Sequence, residues 1–156
     1  MAIIESELKL TDLIDVESLQ KIQDAFSDMS GIASMITDDS GTIQTKPSGF
    51  TDFCKKYVRN TEEGRKRCQE CDRMGVEKAA KEGGSCAYFC HAGLVAFAAP
   101  IMAHGHMVGC FVGGQMLTIP PDEKHIRGVA RDIGVDADEL VRAAQEIRIV
   151  DKVTVK

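Results

Sequence analysis

Six cysteines, at positions 54, 68, 71, 86, 90 and 110, are the residues best equipped for chemistry in this chain of 156. Cys68 and Cys71 form a Cys-x-x-Cys pair inside "GRKRCQECDRMG". A two-residue gap lets one turn of chain present both sulfurs to one ion, and thiolate is the ligand that zinc prefers in closed tetrahedral sites. Arg65, Lys66 and Arg67 are expected to favour the thiolates by lowering their pKa. The remaining ligands of such a site must come from Cys54, Cys86, Cys90, Cys110 or His91. A redox couple competes with metal. Thioredoxin-type dithiols sit where a strand enters a helix, however, and this pair follows the helical "TEEGRKR", which argues against disulfide exchange and leaves a slower thiol switch open. Cys86 and Cys110 read as small hydrophobes within strands.

Other polar residues stand in apolar surroundings. His91 follows Cys90 at the entry to a long uncharged stretch, where it can bind a ligand, bind metal or satisfy the backbone. His104 and His106 flank a turn glycine and are expected to face solvent. Gly113-Gly114-Gln115 interrupts a strand; glycines there weaken pairing unless a bulge forms or something approaches closely. Gln115 then offers a donor and an acceptor beside apolar walls, as in a small-molecule pocket. No Gly-x-Ser-x-Gly, phosphate loop or His-Glu-x-x-His is present, so nothing points to catalysis.

The elements that position these residues follow from patterning. The length and a hydrophobic content of 44% suit one globular domain, expected to fill residues 1–156. The N-terminus lacks a charged and apolar leader pattern, and no run reaches the length of a membrane span, so a cytoplasmic protein without membrane contact is expected, with thiols kept reduced. A net charge of -5 excludes the basic footprint of a direct nucleic-acid binder. Val16, Leu19, Ile22, Phe26 and Met29 predict a helix over 16–30, capped by Asp15 and ended by Gly31, with that row lying on the core. "IASMIT", the turn 38–41 and "TIQT" predict a hairpin. Helices follow over about 50–58 and 62–82. Between Gly83 and Pro121 there is no Asp, Glu, Lys or Arg, which predicts strands at "CAYFC", 94–103 and 106–117. Helices over 121–133 and 137–147 come next, and 148–156 reads as an exit linker or last strand. The order predicts an α+β domain with a central antiparallel sheet flanked by helices.

"LQKIQDAFSDMSGIASMITDDSGTIQTKPSGFTDFC", "RCQECD", "CHAGLVAFAAPI" and "GGQML" resemble the PocR sensory domain, a PAS-like ligand-binding module of prokaryotic signal transduction, over about residues 8–147. The resemblance implies a module joined to histidine kinases, cyclic-dinucleotide enzymes or helix-turn-helix regulators and sensing small hydrocarbon derivatives such as propanediol. It places that family's recurrent cysteines on Cys54, Cys68, Cys71 and Cys90, its histidine on His91 and its aromatic on Phe50. Ala96 departs from a position that is often acidic.

Taken together, these readings predict a pocket at Phe50, His91, Phe97 and Gln115, beside a zinc site of Cys54, Cys68, Cys71 and Cys90. The alternative is a thiol redox or iron–sulfur sensor on the same cysteines. The expected partners are a small organic ligand, an output module such as a histidine kinase or DNA-binding regulator in cis or in trans, and a second copy docked through helix 16–30.

Overall fold

A computed structural model describes residues 8–151. Its centre is a four-stranded antiparallel sheet in the order β1-β4-β3-β2, where β1 is Ala33–Asp38, β2 Cys86–Phe89, β3 Val95–Ala103 and β4 His106–Met116. The uncharged segment supplies three of the four strands. Lacking charges, it can bury both of its faces, and β4 does so over most of its length. The helices are α1 (Leu10–Leu13), α2 (Val16–Ser30), α3 (Glu62–Glu82), α4 (Glu123–Ile133) and α5 (Ala137–Gln145), with a π-helix over Phe53–Val58. The fold is α+β and PAS-like, with helices flanking the sheet.

Each long helix begins on a residue suited to hold free backbone N–H groups. Asp15 accepts from Ser18 N, Thr61 from Gly64 N, Asp122 from Lys124 N and His125 N, and Asp136 from Glu139 N. The helix predicted over 50–58 is a wider π turn, in which Arg59 N donates to Cys54 O at 2.8 Å. That turn faces Phe53, Cys54 and Val58 inward while Lys55 and Lys56 stay exposed. "TIQT" forms no regular strand; an isolated bridge joins Thr37 to Ile43.

The apolar row of α2 lies on the core only through Leu19 and Phe26, not along its whole length as expected. Val16, Ile22 and Met29 are exposed, Met29 at 85%, while the buried residues are Leu19, Gln23 and Ser27. The buried row Leu19, Gln23 and Ser27 runs at the i, i+4 spacing of one helix face, and the apolar row shares only Leu19 with it. Polar groups dock the helix in its place. Gln23 Nε2 donates to Lys46 O at 2.6 Å and Ser48 Oγ at 2.7 Å, Gln23 also pairs with Thr45, and Ser27 Oγ lies 2.6 Å from Ser34 Oγ. Such fully paired buried polar groups fix one docking geometry.

The two faces of the sheet are covered differently. On one, α3 packs Val76 and Ala79 against Met35, Cys86, Ala98, Cys110 and Val112. Cys86 and Cys110 are thus small buried groups in strands. On the other, α1 and α2 cover Ile36 and Val108 with Leu10 and Leu19, and Phe26 stands edge-on to Phe111 at 4.9 Å and to Phe97 at 6.4 Å. A third cluster joins the π-helix to α4 and α5 through Phe53, Ile126, Ile133 and Leu140.

Of the predicted exit segment 148–156, residues 152–156 lie outside the described residues. The preceding residues form a parallel bridge between Leu117 and Ile149, in which Leu117 N donates to Arg148 O and Val150 N to Leu117 O. No helix of the described residues is long and apolar enough to cross a membrane.

Candidate functional site

A cavity of about 50 Å³ lies between the sheet, the π-helix and α3. Its walls form two groups. Cys54, Cys68, Cys71 and Cys90 come from the π-helix, α3 and the turn after β2; Ala33, Met35, Ala96, Val112, Gly113 and Gly114 come from β1, β3 and β4. Phe50, Arg59, Asp72, Tyr88, Leu94 and Gln115 complete the lining.

The glycines that interrupt β4 shape one wall. The register slips between Val95 and Ala96, and Gly114 takes φ +149°, where a Cβ would stand 2.6 Å from Val95 O. This is a bulge that only glycine fits. The next residue, Gln115, is itself at φ +60°, and its Oε1 accepts from Thr51 N at 2.7 Å and Thr51 Oγ1 at 2.9 Å. With its oxygen engaged, Gln115 keeps only N–H donors for a ligand.

The structure separates the four predicted pocket residues. Phe50 and Gln115 line the cavity. Phe97 does not: Ala96, the residue before it on β3, faces inward, so alternation along the strand turns Phe97 outward to Phe26 and Phe111. His91 stands behind the thiols rather than in the lining. Its Nε2 is 3.3 Å from Cys68 Sγ and its backbone N–H donates to Cys71 Sγ at 3.3 Å. Its Nδ1 is buried without a partner. The far side of the ring borders a surface groove with Arg67, Asp122, His125 and Asp132.

The electrostatics of the thiols run opposite to the sequence expectation. Burial pushes Cys54 and Cys68 up from an ordinary 9.0 to about 12, and raises Cys71 and Cys90 as well. Arg65 and Lys66 point to solvent, and Arg67 is engaged by Glu63 at 2.7 Å and Asp132 at 3.4 Å. The cation that acts on the thiols is Arg59, whose charge is matched by Asp72 at 3.0 Å. The lining therefore holds neutral thiols and one compensated ion pair.

By donor type the four cysteines suit zinc or an iron–sulfur cluster. By spacing they do not yet form a site: among the described residues no three His, Cys, Asp or Glu side chains are gathered to hold a metal ion.

Sequence reasoning missed Arg59, Asp72 and Tyr88. Asp72 had a signal, because it is the one acidic residue in the inward α3 row Cys68, Asp72, Gly75, Val76, Ala79. Tyr88 shares its side of β2 with buried Cys86, while Ala87 and Phe89 are exposed. Arg59, at the C-terminal end of the π-helix, had none.

Residues 12–156 match the family model described as the sensory domain found in PocR. The chain belongs to the PocR sensory-domain family. It is also similar to the regulatory protein PocR of Salmonella typhimurium strain LT2, at 33% identity over 103 residues, which is 66% of this chain and 34% of that protein. The chain thus spans about a third of that relative's length. No solved structure matches the chain. In this PocR-type domain the described cavity is the candidate sensing site.

Proposed function

We propose that the domain senses a small organic molecule, a short hydrocarbon derivative, in the cavity between α3 and the sheet, and passes its occupancy to an output module. The observation that carries this reading is the cavity itself, with apolar walls from Met35, Leu94, Ala96 and Val112 and a few polar groups from Arg59, Asp72, Tyr88 and Gln115. That is the composition of small-molecule sites. A sensory rather than catalytic role agrees with the family and with thiols that burial holds protonated.

A route for the signal runs from the site to the chain ends. Gln115 borders the cavity two residues before Leu117, whose backbone pairs with Arg148 and Val150. Arg148 also donates to Ser30 O at 2.7 Å, at the end of α2. Occupancy that moves the Gln115 bulge would shift the exit segment and α2 together, which is the two-state element a sensor requires. The output, in cis or in trans, is a regulator of the type that the Salmonella relative's name describes, or a histidine kinase, in the cytoplasm. A second copy is the proposed partner of the exposed Val16, Ile22 and Met29 on α2.

We further place zinc at Cys54, Cys68, Cys71 and Cys90, as a folding element rather than a catalyst. The support is four thiols from three separate elements facing one cavity. Zinc would draw the sulfurs inward as thiolates. Iron–sulfur or thiol redox sensing is the rival use of the same cysteines and would show as visible absorbance or oxidant-dependent loss of thiols.

Native mass spectrometry of the purified domain with elemental analysis tests both readings. Retained zinc supports the metal, and saturable adducts of small organic molecules support the sensor. A metal-free protein whose melting is insensitive to chelator contradicts the first, and absence of saturable binding across short alcohols, ketones and acids contradicts the second.

A further inference from the structure

Among the described residues, Tyr88 carries the one fully buried side-chain nitrogen or oxygen of the cavity lining that lacks a hydrogen-bond partner. Its phenol oxygen is fully buried and has no partner. A buried hydroxyl left unpaired destabilises a fold, so its retention needs a reason. The ring packs against α3 at Gly75, where a Cβ would stand 2.4 Å from Tyr88 Cζ and 2.6 Å from its oxygen. Gly75 is therefore the position that admits the ring, and any other residue there would expel it. Across the sheet, Tyr88 pairs with Ala96, which also lines the cavity and offers only a methyl group.

We propose that Tyr88 selects the ligand: its orphaned O–H donates to an acceptor oxygen on a short, uncharged molecule whose apolar end lies against Ala96, Val112 and Met35. This assignment rests on the cavity being a sensing site, and it deepens that reading by naming the residue and the chemistry that discriminate. The acceptor follows from hydrogen-bond accounting. Tyr88 lacks an acceptor, and Gln115, its oxygen held by Thr51, can add only donors. The lack of charge follows from Arg59 and Asp72, which neutralise each other at 3.0 Å and leave no free cation in the lining. A carboxylate ligand would be desolvated beside Asp72 with nothing to balance it. The size follows from about 50 Å³ of room, which admits only a molecule of a few heavy atoms. The apo protein then accepts an unsatisfied group that the ligand satisfies, so that stability and recognition pull in opposite directions at one atom.

The test compares the wild type with Tyr88→Phe, which keeps the ring over Gly75 and removes the oxygen alone. Both proteins are melted and titrated with butanone, 2-butanol and butyrate. The expected result is that Tyr88→Phe melts higher than the wild type without ligand, binds butanone and 2-butanol at least tenfold more weakly, and that butyrate binds neither protein. A variant that melts lower, or that binds the ketone and the alcohol as well as the wild type does, overturns the role of Tyr88 while leaving the cavity as a site. Butyrate bound more tightly than butanone overturns the requirement for an uncharged molecule. A wild type that binds none of the three overturns the sensing cavity and this assignment with it.

Discussion

The two faces of the sheet solve opposite problems with neighbouring residues of the same strands. Toward α2 the sheet presents Phe97 and Phe111, which with Phe26 form a filled aromatic layer whose rings are 4.9 to 6.5 Å apart. Toward α3 it presents Ala96, Ala98, Val112 and a glycine bulge, and there a cavity with polar groups remains. Large rings at alternate positions close one side, and small residues at the intervening ones open the other. A site can exist here because the opposite face supplies the packing.

Four predictions break or sharpen that contrast. The largest effect is expected on the open face, where Asp72→Ala leaves Arg59 buried without its counter-ion; the loss should be about 3–5 kcal/mol by denaturant titration. An unchanged midpoint would mean that the pair is solvated and the cavity wet. Next, Phe111→Ala on the filled face should lose about 3 kcal/mol by the same measurement while leaving small-molecule binding in place, since Phe111 does not touch the cavity.

The third concerns pH. Folded Cys54 and Cys68 have pKa values raised from 9.0 to about 12, so the unfolded chain releases those protons first. The stability they contribute is complete below pH 9 and is lost as pH climbs toward 12, and Tyr88, also raised by burial, adds in the same direction. Melting of the metal-free protein across that window should show the decline. A zinc-loaded protein, its thiols already ionised, should show less of it, and equal slopes would argue against thiolate ligation. The smallest effect on stability is expected from Ala96→Val, which places two methyl groups in existing space; the unfolding free energy should change by about 1 kcal/mol while binding of butanone disappears.

Much of the fold was legible because its signals are local. Asp15, Thr61 and the absence of charge from Gly83 to Pro121 marked helix starts and strands that the structure places within a residue or two of expectation. The face of α2 was not legible, since its buried side is polar and its Gln23 finds partners at Thr45, Lys46 and Ser48, more than twenty positions away. At the site, the cysteine pattern and Gln115 stood out by residue type. Phe97 reads as a pocket residue from the sequence because hydrophobicity alone does not say which side of a strand faces a void; Ala96 beside it decides that by register. Tyr88 needed Gly75, a contact across thirteen positions that no local pattern encodes. The thiol electrostatics turned on burial, which overrode the three basic residues beside Cys68.

Methyl NMR of the domain titrated with butanone tests the central claim most directly. Saturable shifts confined to Met35, Leu94, Ala96 and Val112, with the Ile36 and Val108 methyls of the aromatic side unmoved, are the predicted result. Shifts that fall on the α2 face instead, or that never saturate, would contradict a sensing cavity beneath α3.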